Sequence, residues 1–113
     1  MADDILYEKH GRVRLITIDR ADKMNSLDFA ANDRLTDIWR EFAADGDARA
    51  AVITGAGDKA FCAGADLKSY TIDYATRPAA EFRERYTDGT GFGGITRGLE
   101  IDKPIVAAIN GFS

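Results

Sequence analysis

An α/β fold is what this sequence predicts, and three observations predict it. Two short strand-like segments, Ile5 to His10 and Val13 to Asp19, flank a turn at His10 and Gly11. A long segment ending near Ala44 repeats apolar residues at helical spacing. Two further apolar runs, Ala50 to Thr54 and Ile105 to Ile109, read as strands. The resulting order is strand, strand, helix, strand.

Taken in order, the first two strands suggest a hairpin. Asn25 and Ser26 are the expected N-caps of the long helix, which runs to about Ala44 and is stopped by Gly46. Its apolar face carries Ala31, Leu35, Ile38 and Phe42, with Trp39 beside them, so Trp39 is expected in the core. After the strand Ala50 to Thr54, a loop from Gly55 to Gly64 leads into a helical turn at Leu67 to Tyr70. Thr76 and Pro78 mark another helix start, with Phe82 and Tyr86 at helical spacing among Glu81, Arg83, Glu84 and Arg85. Glycines 89, 91, 93 and 94 interrupt that helix, and Ile95 and Leu99 are expected in one more short helical turn. Pro104 then opens the last strand.

A chain of 113 residues is one domain at most, and at that size roughly two thirds of the unfolded surface is hidden on folding. With 45% hydrophobic and 30% charged residues it fits a soluble globular protein. No apolar run approaches a membrane span. The opening MADDILYEKH lacks the apolar stretch of a secretory signal and is too acidic for a transit peptide, so a cytoplasmic location and no membrane partner are expected. A net charge of -4 argues against nucleic acid as a partner. The single cysteine forms no internal disulfide, and no Cys/His cluster points to zinc.

The densest chemical signal is AFCAGADLKSY, Ala60 to Tyr70. Gly64 permits backbone angles that a Cβ resists, Ala65 leaves room for a carbonyl to approach, and Asp66 is suited to cap the helical turn at Leu67. On composition alone a tightly packed small-residue turn is the favoured reading. GAGDKA, Gly55 to Ala60, fits the dinucleotide pattern GxGxxG/A after a strand. That pattern needs a helix to open on its glycines, whereas Phe61, Cys62, Ala63 and Gly64 follow, and Asp73 ends no convincing strand; a glycine turn is the simpler reading. Cys62 lacks a base in any recognisable pattern and reads as a buried structural thiol. His10 reads as a turn residue. Asp66, Asp73, Glu81, Glu84, Glu100 and Asp102 are all possible acids or bases, and nothing in the sequence singles one out.

VRLITIDRADKMNSL (Val13 to Leu27), AAVITGAGDKAFCAGADL (Ala50 to Leu67) and KPIVAAING (Lys103 to Gly111) together resemble the enoyl-CoA hydratase/isomerase, or crotonase, family, and in the same order. The resemblance runs nearly end to end. It implies a ClpP/crotonase-like spiral of strand-strand-helix units, truncated, with residues 1–113 as the N-terminal part of the domain. It implies a backbone N–H at Ala65 as the first oxyanion-hole donor for a thioester enolate, with the second donor and the catalytic glutamates expected beyond Ser113. Lys23, Met24 and Ser26 match the segment along the nucleotide end of coenzyme A, and Ala63, Gly64, Ala65, Asp66, Leu67 and Lys68 match the one lining the thioester end. Ala21 stands where the family often has proline and Ser26 where it often has alanine. The glycine-rich stretch from Gly89 to Gly94 falls where many members continue a helix over the acyl pocket.

The activity so implied is addition of water to a 2-enoyl-CoA. Isomerisation and hydrolysis use the same hole, and a non-catalytic CoA-binding fragment is the reading from a different class. The implied partner is an acyl-CoA thioester, with coenzyme A as part of the substrate and no permanently bound cofactor. Full-length members are commonly trimers or pairs of trimers. A chain ending at Ser113 is expected to be a poor catalyst alone, since one missing oxyanion donor costs about 10² to 10³ in rate.

Overall fold

The computed structural model describes residues 4–86 and 89–113. Strands β1 (Ile5–His10) and β2 (Val13–Ile18) pair antiparallel, Ile5 facing Ile18 and His10 facing Val13, with Gly11 at φ 62° in the tight turn between them. β3 (Ala50–Gly55) lies parallel to β2, and β4 (Ile105–Ala108) parallel to β3, giving the sheet order β1-β2-β3-β4. A parallel neighbour requires a crossover, and helix α1 (Phe29–Ala44) makes it between β2 and β3.

The core forms where α1 meets the sheet. Ala31, Leu35, Ile38, Trp39 and Phe42 recur every three or four residues and bury one stripe of the helix against Ile5, Ile16, Ile18 and Ala51. Trp39 is core, as its spacing predicts, and its indole Nε1 donates to the carbonyl of Gly93 at 2.9 Å. The N-cap differs from expectation. It is Asp28, whose carboxylate accepts the Ala31 N–H at 2.8 Å, because Met24 and Asn25 take left-handed conformations and Ala21–Lys23 forms a separate 3-10 turn.

At its other end α1 finishes at Ala44, with Asp45 as its C-cap directly before Gly46, and a cation meets its last carbonyls. Asp45 turns the chain out in an extended conformation, and Lys103 Nζ donates to the carbonyls of Phe42 and Asp45 at 2.7 and 2.6 Å. A cation there also meets the negative end of the helix dipole. Lys103→Met removes both bonds and is expected to lower the unfolding free energy by about 1–2 kcal/mol, read from urea denaturation.

Buried Arg14 donates from Nε and Nη2 to Asp45 at 3.2 and 2.9 Å. The Arg14 hydrogen bond, helped by the Asp47 N–H, holds the Asp45 carboxyl below its ordinary value of 3.8. A carboxyl depressed on folding adds stability that is present above the ordinary value and lost as pH falls through the lower folded value. Thermal midpoints of the unsubstituted protein should therefore fall on acidification below pH 3.8, and Asp45→Asn should flatten that part of the curve.

Beyond β3 the chain forms α2 (Leu67–Thr76), longer than the single turn expected, and α3 (Ala79–Tyr86) after Pro78. Phe82 and Tyr86, expected at helical spacing, both fall within α3, and their side chains lie outside what the structure describes. α2 is held to the start of α1 by Asn32, which hydrogen-bonds the Tyr70 hydroxyl, and by Phe29 packed edge-on to the Tyr70 ring at 4.9 Å. The short turn expected at Ile95 and Leu99 is instead a 3-10 turn at Phe92–Gly94. Gly94 sits there because a Cβ would come within 2.5 Å of the Thr36 hydroxyl. β4 occupies one end of the sheet, and its apolar Val106 is 56% exposed. No helix among the described residues is long and apolar enough to cross a membrane.

Candidate functional site

Two loops meet beside the carboxyl ends of β2 and β3. The first leaves β2 at Asp19 and reaches α1 through Met24 and Asn25, both at φ 55°. Asn25 is 1% exposed: its side-chain oxygen accepts the Arg20 N–H at 2.9 Å, and its amide donates to the carbonyls of Ala56 and Ala60 at 3.0 and 2.8 Å. Asn25, expected as a helix cap, instead fastens the exit of β2 to the loop that follows β3.

That second loop carries GAGDKA. No helix opens on its glycines; the chain bends through Gly57 at φ 81° and runs on to Phe61, so the dinucleotide reading is excluded. Asp73 lies within α2, not at the end of a strand. Gly55 is required by crowding, since a Cβ would stand 2.5 Å from the Phe61 carbonyl oxygen and 2.7 Å from Asn25 Nδ2. Asn110 accepts the Gly55 N–H at 3.1 Å and donates to the Gly57 carbonyl at 2.9 Å, while Phe112 bridges Ala60. A pocket of about 310 Å³ opens between this loop and the 3-10 turn, bordered by Ala21, Asp22, Gly57 and Lys59.

Residues 24–27 and 63–66 run side by side. Ala63 N–H donates to the Met24 carbonyl at 3.1 Å, Leu27 N–H to the Gly64 carbonyl at 2.8 Å, and Asp66 N–H to the Leu27 carbonyl at 2.9 Å. Leu27 and Ala65 thus form a parallel bridge. The Gly64 carbonyl and the Ala65 N–H belong to one trans peptide plane and point in opposite directions. With the carbonyl held by Leu27, the Ala65 N–H faces away from Leu27, and among the described residues no acceptor takes it. Gly64 stands at φ 99° with open space where a Cβ would be, so the backbone conformation is what calls for glycine there.

Asp66 is a cap, as its position predicts, and more than a cap. Its Oδ1 accepts the Ser69 N–H at 3.2 Å, its carbonyl accepts the Tyr70 N–H at 2.9 Å, and its Oδ2 takes Arg20 Nη2 at 2.8 Å. The Ala65 donor therefore lies immediately before the positive end of a ten-residue helix. Ala63, Leu67 and Lys68 are exposed, with Leu67 at 78%, as are Lys23 and Met24 in the other segment; Ala65 is half-buried and Ser26 is buried. The two segments that the resemblance pairs are thus in contact. Cys62 is half-buried against the core, and His10 ends β1 on the exposed surface. No group of three or more His, Cys, Asp or Glu among the described residues could hold a metal ion.

The sequence reading did not single out Arg20. Its guanidinium is buried between Asp4, Asp28 and Asp66. Burial opposes its charge, but the Asp4 hydrogen bond and the surrounding carboxylates outweigh that and raise its pKa. The available signal was an arginine directly after an apolar strand, with acidic residues at the starts of two helices.

The family model for enoyl-CoA hydratase/isomerase matches residues 8–113. The chain is 35% identical over its full length to carnitinyl-CoA dehydratase of Citrobacter koseri, and 38% identical over 96% of its length to (E)-benzylidenesuccinyl-CoA hydratase of Thauera aromatica. It spans about 40% of the length of each of these relatives. Among solved structures, carnitinyl-CoA hydratase from Mycobacterium avium superposes with a TM-score of 0.79 at 42% identity, covering 98% of this chain and 40% of that one. Enoyl-CoA hydratase from Bacillus anthracis superposes with a TM-score of 0.74 at 28% identity, covering 96% and 40%. The α/β arrangement is therefore part of the crotonase fold. The chain belongs to the enoyl-CoA hydratase/isomerase family.

Proposed function

We propose that this chain supplies the thioester-oxygen-binding part of an enzyme that adds water to, or removes it from, an acyl-CoA. The carrying observation is the Ala65 N–H, turned away from Leu27 by its peptide plane and left without an acceptor among the described residues. Chemically, a thioester oxygen that gains negative charge as an enolate forms needs a fixed donor at about 3 Å, and a donor already in place reorganises nothing when the charge appears. The small residues Ala63, Gly64 and Ala65 let the thioester approach, and the start of α2 adds its dipole.

Coenzyme A enters as part of the substrate, and no permanent cofactor takes part. Its nucleotide end runs along Lys23, Met24 and Ser26, where exposed Lys23 and, across the bridge, exposed Lys68 offer ammonium groups to its phosphates. Leu67 and Asp66 border the acyl side, Asp66 through its hold on the helix start. The second donor, and the glutamates that direct water and deliver the proton, belong to the part of the family domain that follows Ser113. Hydration and dehydration are the two directions of one reaction, and the names of the relatives above favour that pair over isomerisation or hydrolysis.

The test is vibrational. Crotonyl-CoA carrying ¹³C at its carbonyl is bound to the protein and the carbonyl stretch recorded; a shift to lower frequency on binding is expected, and an unshifted band would contradict the reading. With the complete enzyme domain, 3-hydroxybutyryl-CoA as product supports hydration, whereas released CoA thiol or a migrated double bond would assign hydrolysis or isomerisation instead.

A further inference from the structure

Arg20 is 7% exposed, and its guanidinium bonds to groups of the protein. Its Nη1 donates to Asp4 at 2.7 Å and Asp28 at 3.1 Å, its Nη2 to Asp66 at 2.8 Å, and its Nε to the Ser26 carbonyl at 2.6 Å. The last bond begins a chain. The Ser26 carbonyl and the Leu27 N–H share one peptide plane; Leu27 N–H donates to the Gly64 carbonyl at 2.8 Å; and the Gly64 carbonyl shares the next plane with the Ala65 N–H. Two peptide planes, joined head to tail, thus connect a buried positive charge to the Ala65 amide.

We infer that Arg20 is the positioning residue of this site, aiming the Ala65 N–H and strengthening it as a donor through the Ser26–Leu27 and Gly64–Ala65 peptide planes. Chains of hydrogen bonds polarise one another in a low-dielectric interior, and a cation at the head of the chain makes each successive N–H a better donor. The Nη2 bond to Asp66 holds the residue after Ala65, so that the donor is fixed from both sides. The planar fork of an arginine serves all these partners at once, whereas the ammonium of a lysine has neither the reach nor the fixed geometry. The inference rests on the proposed thioester role of Ala65, but the direction of the amide is readable without ligand.

The test compares the unsubstituted protein with Arg20→Lys, Arg20→Met and Asp4→Asn. In the unsubstituted protein a scalar coupling across the Leu27 N–H to Gly64 carbonyl bond is expected, and its absence would overturn the inference whether or not any variant folds. Without ligand, the Ala65 amide proton is expected to move upfield in both Arg20 variants and to stay in place in Asp4→Asn, which loosens the cluster but keeps the Nε and Nη2 bonds. With ¹³C-labelled crotonyl-CoA bound, the shift of the carbonyl band should be smaller in Arg20→Lys and retained in Asp4→Asn. A full shift in a folded Arg20→Lys would overturn this inference alone, leaving the thioester reading intact. No shift in the unsubstituted protein would overturn the thioester reading and this inference with it.

Discussion

Trp39→Ala is expected to lower the unfolding free energy by about 3–5 kcal/mol, the usual cost of truncating a large aromatic side chain in a packed interior. Trp39 is 1% exposed, lies on the α1 stripe with Leu35, Ile38 and Phe42, and stands edge-on to the Phe42 ring at 6.4 Å. The substitution also strands the Gly93 carbonyl, which the indole N–H holds at 2.9 Å. Trp39→Phe separates the two effects. It keeps most of the buried apolar surface and loses the hydrogen bond, so a smaller loss of about 1–2 kcal/mol is expected. Urea denaturation of both variants checks the pair, and equal losses would mean that the carbonyl contact, rather than the packing, dominates.

Gly55→Ala is expected to cost about 3 kcal/mol, at the upper end for overpacking, because the obstructing atoms are mostly backbone. The new Cβ would meet the carbonyl oxygens of Phe61 and Ala60 at 2.5 and 2.8 Å and the amide of Asn25 at 2.7 Å. Asn25 ties the exit of β2 to this loop, and Phe61 leads directly into Ala63–Asp66, so the strain propagates toward the Ala65 amide. Gly55→Ala should therefore weaken crotonyl-CoA binding as well as stability. Chemical denaturation and a binding isotherm read the two effects separately, and full affinity in the folded variant would mean that the loop absorbs the clash.

Those two residues also show what the sequence makes legible. Trp39 announced itself through helical spacing, because burial of one helix face imposes a period that survives in one dimension. The hairpin and the strands at Ala50 and Ile105 were readable for similar local reasons, whereas the parallel pairing of those strands was not. Gly55 was read as the start of a loop, but its necessity comes from Asn25 and Phe61, which only the fold brings within 3 Å. Asn25 is misassigned for the same reason: an Asn–Ser pair ahead of a helix is a sound capping signal, and nothing local reveals that its amide holds the loop after β3 while Asp28 does the capping.

Arg20 is the clearest case of information that sequence order hides. Its carboxylate partners lie at positions 4, 28 and 66, and its connection to Ala65 runs through the Ser26–Leu27 and Gly64–Ala65 peptide planes and through Asp66. β4 was legible as an apolar strand, Ile105 to Ile109 against the observed Ile105–Ala108, but periodicity reports what a segment is suited to contact and not whether the contact is present: Val106 is 56% exposed.

The central claim is that the Ala65 N–H is a preset donor for a thioester oxygen. It is tested most directly by following the Ala65 amide resonance while crotonyl-CoA, and separately free coenzyme A, is titrated into ¹⁵N-labelled protein. The account predicts that the Ala65 proton moves downfield with the thioester and stays in place with coenzyme A alone, while resonances near Lys23 and Met24 respond to both. An Ala65 amide that does not move when the thioester binds would contradict it.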